Sequence, residues 1–123
     1  VAFSTEFCDF IVEQLEPIGP VQVRRMFGGA GLYLDDTIFA ILADDVLYFK
    51  VNEANEADFI AEGMAVFDPF GDPKRQIRSY RECPPRLLEN SDELCQWARA
   101  AWAAGRHAEA QKSQKKRPLA KPE

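Results

Sequence analysis

Histidine is nearly missing from this chain, and cysteine is sparse. His107 is the only histidine among 123 residues, and it lies near the C-terminal end. A histidine-based zinc site or a Ser-His-Asp triad therefore has little to be built from. The three cysteines, Cys8, Cys83 and Cys95, are odd in number and far apart, with no CxxC pair. Buried free thiols are the expectation, ahead of redox or metal chemistry. No apolar run approaches the roughly 20 residues that span a bilayer. No basic segment followed by an apolar one opens the sequence, so no signal peptide is expected. The expectation is a cytoplasmic protein with no membrane contact.

What is present suits one compact domain. Hydrophobic residues make up 46% and charged residues 28% of the chain, enough for a real core and an ordinary soluble surface. The net charge of −5 is unevenly spread. From Arg106 onward the tail carries about +4, which leaves about −9 on the body. An acidic body repels phosphate backbones. Nucleic acid would have to meet the tail cations Lys112, Lys115, Lys116 and Arg117, or the pair Arg24 and Arg25. The tail lacks interleaved aromatics, so base stacking is not suggested, and a solvated tail is the plainer reading.

The most unusual stretch is Arg24-Arg25-Met26-Phe27-Gly28-Gly29-Ala30-Gly31-Leu32-Tyr33. Its glycines invite comparison with a phosphate loop. A Walker loop ends in Gly-Lys-Ser/Thr, and a dinucleotide fingerprint continues into a helix. Here strand-like Leu32-Tyr33-Leu34 follows instead. The pattern predicts one extended segment over residues 21–34, bent, bulged or closely approached by another backbone at the glycines. Alternation puts Arg24 and Arg25 on opposite faces, so the two do not clamp one small anion together.

Along the chain, apolar spacing predicts a helix over residues 3–18 capped by Ser4. Strands follow over 21–34, 37–43 and 46–51, joined by Asp35-Asp36 and Asp44-Asp45 turns. These aspartate pairs, and Asp68 with Asp72, invite a metal or acid–base reading, but turn positions account for them. Ile38-Phe39-Ala40-Ile41-Leu42-Ala43 is apolar on both faces. Helices cover one face of a two-layer sheet, so the other needs a loop, the C-terminal helix or a second subunit. A helix from Asn52 to about Glu62, short strands at 65–67 and 76–82, a turn at 86–89 and a helix from Ser91 complete the order. Gly105 is a candidate stop for that helix, a fraying end through Arg106–Gln111 being the alternative, with a basic, disordered tail over 107–123 after a domain spanning 1–106.

The expected architecture is α+β: two layers, an antiparallel sheet of about five strands, order α-β(3)-α-β(2)-α. The stretch Arg24–Tyr33, Phe39-Ala40, the hairpin from Ala43 to Val51, Asn52 to Met64, Phe70, Ser79-Tyr80 and the Leu94-Trp97-Ala98 helix resemble the TfoX/Sxy N-terminal domain family. The resemblance covers about residues 3–106. It implies a secretion-chaperone-like fold and a bacterial cytoplasmic protein. Full-length members are competence regulators that act with the cyclic-AMP receptor protein at promoters and carry a second, C-terminal domain; this chain is expected to be the stand-alone first domain. The resemblance supplies no catalytic residues, cofactor or metal. The expected function is a non-enzymatic protein-interaction domain in transcriptional regulation, a homodimer or bound to a protein partner. The alternatives are a nucleic-acid accessory protein using the tail, and a small-molecule or enzymatic site beside Gly28–Gly31.

Overall fold

The computed structural model describes residues 4–26 and 28–116. Helix α1 spans Thr5–Gln14, and the Ser4 hydroxyl caps it by accepting from the Phe7 amide. Strands β1 (Gln22–Met26), β2 (Gly29–Leu34), β3 (Thr37–Ala43) and β4 (Val46–Lys50) follow. Then come α2 (Glu56–Ala61), β5 (Val66–Phe67), β6 (Ile77–Glu82) and the long helix α3 (Ser91–Lys116). The six strands form one antiparallel sheet in the order β1-β2-β3-β4-β6-β5. The fold is α+β, as expected.

The segment 21–34 is two strands, not one bent strand. Met26 pairs with Gly29 and Gln22 with Tyr33, so the chain reverses at Gly28. Gly28 takes φ +78°, a conformation open to glycine at little steric cost, and the reversal depends on it. This hairpin supplies the sixth strand. The two aspartate pairs build the next two hairpins. Asp35, Asp36, Asp44 and Asp45 all have φ between +51° and +65°, the signature of two-residue turns whose twist matches the strands.

A bulge sorts β3 between two apolar layers. Leu32 pairs with Ala40 and Tyr33 with Ile38, so Phe39 has no opposite number. Phe39 and Ala40 consequently both enter the main core with Leu42, Phe49, Ile11, Leu15, Phe59, Leu94 and Ala98. Ile41 and Ala43 face the other way, into a second cluster with Phe67 and Tyr80. All helix side chains in these clusters belong to the first.

Helix α3 continues past the expected end. Gly105 lies inside it, and residues 107–116 are helical rather than a disordered tail. Buried Thr37 anchors the first turn beyond Gly105. Its hydroxyl donates to the Glu109 carboxylate at 2.8 Å and accepts from the Arg106 guanidinium at 3.3 Å, which ties the helix to the start of β3. Arg86 braces the other end with paired hydrogen bonds to Glu62, just after α2, and to Glu93 in the first turn of α3.

The three thiols are buried and free. Burial pushes Cys83 up to about 12, with Glu82 and Glu62 adding and Arg86 opposing. Burial and Asp9 also raise Cys8. A thiol with so little thiolate reacts slowly. Native protein should therefore resist an aromatic disulfide reagent at neutral pH, and three thiols should react at once on unfolding. A rapid native-state burst would contradict their burial.

Candidate interaction surface

The second apolar layer begins with small residues. Gly29 and Ala43 form the floor of a hollow, and larger side chains stand around it. Met26, Ile41, Phe67, Phe70 and Ile77 contribute its walls, and its volume is about 150 Å³. The connection between β5 and β6 roofs one side. Its Asp68 carboxylate accepts from the Asp72 amide at 3.0 Å, and Asp72 caps a single helical turn at Pro73–Arg75. This loop supplies part of the cover that the doubly apolar β3 calls for. Phe70 on the roof remains 59% exposed, the highest value among the exposed large hydrophobic residues described. Arg75 lies over its ring, 3.9 Å from the centroid.

Two more cations rest on aromatic rings of the sheet. Arg24 lies 4.3 Å above the Tyr33 ring, and the Lys50 ammonium 5.1 Å from the centroid of Tyr80. Burial, and then the nearby Lys112 charge, lower the Lys50 pKa. Burial raises the Tyr80 phenol and, with Glu82 and Asp44, the Tyr48 phenol. Tyr48 packs on Phe67 with centroids 4.4 Å apart. The surface is thus aromatic and apolar with cations laid over the rings.

The arginine pair does not converge. Arg24 meets Asp36 at 3.2 Å, an exposed ion pair worth at most about 1 kcal/mol. Arg25 pairs across the ladder with Ala30, a residue of the helix-side core, and its charge reaches Cys8 on α1. Both arginines sit on an edge strand, where charge discourages pairing with another sheet. Among the tail cations, Lys112 is exposed on α3, Lys115 and Lys116 fall in its last turn, and Arg117 lies outside the described residues.

The chain is identified by its match to a family model. The model of the TfoX N-terminal domain matches residues 13–105. This chain belongs to that family. The match takes in β1 to β6, and with them the Gly29 hollow and the Phe70 loop of this TfoX N-terminal domain. No curated protein gives a significant match to the chain.

A wider, open cleft of about 740 Å³ lies between the turn at Asn52–Glu56 and α3, with Glu53, Glu56, His107 and Gln111 on its walls. Among the described residues, no three His, Cys, Asp or Glu side chains are grouped to hold a metal ion. No described helix is long and apolar enough to cross a membrane. Sequence reasoning named Phe70 only among the residues that carry the family resemblance, not as a contact residue, and passed over Arg75. The available signal was a phenylalanine set among Asp, Pro and Gly, where an apolar ring has no local structural task.

Proposed function

We propose that this chain is a non-enzymatic, cytoplasmic protein-interaction domain that meets a protein partner through the Phe70 side of its sheet, in the service of transcriptional regulation. One observation carries the reading. A large aromatic ring stands exposed on a braced loop and is continuous with an apolar hollow, and contiguous apolar surface rimmed by polar side chains is what marks contact sites, unlike a lone exposed side chain. Membership of the TfoX family supports the regulatory setting. The cations over Tyr33, Tyr80 and Phe70 add ring-and-charge contacts of the kind enriched at interfaces.

Sedimentation velocity tests this, run on the chain alone and mixed with the cyclic-AMP receptor protein that full-length members are expected to act with. Wild type should form a faster-sedimenting species in one of the two settings. Phe70→Ser should weaken that species about tenfold or more, as loss of a central aromatic anchor does. Phe70 is exposed, so the fold should be undisturbed. A monomer in both settings, or a complex indifferent to Phe70→Ser, would contradict the proposal.

A further inference from the structure

We propose that the hollow beneath Phe70 is a binding site for one small, uncharged, apolar molecule about the size of a single aromatic ring. Its volume is about 150 Å³. An enclosed apolar cavity of about that size stays dry and accepts a benzene-sized guest; this hollow is open on one side, but its apolar walls offer water few of the two to four polar partners it needs. Here the lining side chains are those of Met26, Ile41, Ala43, Phe67, Pro69, Phe70 and Ile77, none of them charged, while Leu42 turns its side chain into the helix-side core and borders the hollow through its backbone. A charged guest would lose its hydration with nothing to replace it. Met26 brings a flexible thioether that adapts to an aromatic guest and packs well at its edge.

The hollow is imposed by the fold. Gly29 cannot carry a side chain, since a Cβ there would stand 2.3 Å from the Leu42 carbonyl oxygen. Ala43, on the next strand, adds only a methyl group. Of the larger residues around them, Ile41, Phe67 and Ile77 are held at the spacing of the sheet ladder. A free small molecule suits this space better than a peptide-borne side chain. A peptide would bring its amides past the Phe70 ring and along walls that offer its backbone no side-chain partner. The site shares the Phe70 loop with the protein-contact surface but does not depend on that reading. A guest there would set how the exposed ring is presented.

The chain has two methionines, Met26 in the hollow and Met64 packed against the helix-side core. Methyl-labelled methionine therefore gives two NMR signals, one inside the proposed site and one internal control. Toluene should move the Met26 signal saturably and leave Met64 in place. Benzoate and benzylammonium should not. Ala43→Leu fills the hollow and should weaken toluene binding about tenfold or more, a difference of about 1.4 kcal/mol. Its unchanged Met64 signal would report an intact core. Should that variant not fold, Ile77→Phe narrows the same space from the rim and should give the same loss. N-acetyl-phenylalaninamide should bind more weakly than toluene. An unmoved Met26 up to the solubility of toluene would overturn the proposal. So would joint movement of both methionines, full binding by the filled variants, or a response to the peptide-borne ring alone.

Discussion

Alanine at Gly105 is expected to destabilise the domain by about 1–3 kcal/mol, although the same exchange inside an ordinary helix stabilises by up to about 1 kcal/mol. Geometry reverses the sign. A Cβ on Gly105 would stand 2.5 Å from the Ile38 carbonyl oxygen and 2.9 Å from the Thr37 methyl group. The first obstacle is backbone in a paired strand, which cannot rotate away. Helix α3 would have to lift from β3, and the Thr37 links to Arg106 and Glu109 would stretch. Gly29→Ala should lose at least as much, since its Cβ meets the Leu42 carbonyl at 2.3 Å, between two central strands. Urea unfolding should show a lower midpoint at unchanged slope for both variants. A midpoint at or above wild type for Gly105→Ala would mean that α3 does not pass so close to the sheet.

Truncating Phe59 should have a larger effect still, about 3–5 kcal/mol for Phe59→Ala. Phe59 is 1% exposed and joins three elements: its own α2, β4 through Phe49, and α3 through Trp97. The Trp97 ring meets it edge-on at 4.7 Å and the Phe49 ring at 6.4 Å, so the variant loses aromatic contacts as well as buried volume. The emission of Trp97 should shift to the red as water reaches the gap. The next residue provides the control. Ile60 is 56% exposed, and Ile60→Ala should stay within about 0.5 kcal/mol of wild type. Equal losses at the two positions would contradict the packing described.

The layout of this fold was readable where local chemistry decides it. Ser4 caps α1, the aspartate pairs turn the hairpins, and the doubly apolar β3 announces a sheet that needs cover on both sides. Three features were not readable. The chain reversal at Gly28 is local, but a glycine run between strand-like segments reads equally as a bulge or as a turn. The continuation of α3 beyond Gly105 and the hollow over Gly29 depend on atoms distant in sequence. A glycine in a helix-like run reads as a stop, and only the nearness of the Ile38 carbonyl shows it to be a point of close approach. The run after Gly105 read as a fraying end or a polar tail, and only Thr37, far upstream, reveals what holds the helix as far as Glu109. The candidate surface was half visible. Alternation correctly separated Arg24 from Arg25. Met26 and the glycines were prominent in the sequence, but their partners Phe67, Phe70 and Ile77 come from another hairpin and carry no mark of the association.

The central claim is that a partner meets this domain on the Phe70 side and not on the helix side. A photo-crosslinking amino acid placed at position 70 or at position 60, in the native cell, tests it most directly. Phe70 and Ile60 are almost equally exposed, 59% and 56%, one on the loop over the hollow and the other on α2. The account predicts a discrete crosslinked protein from position 70 and none from position 60. The same adduct from position 60, or none from position 70, would contradict it.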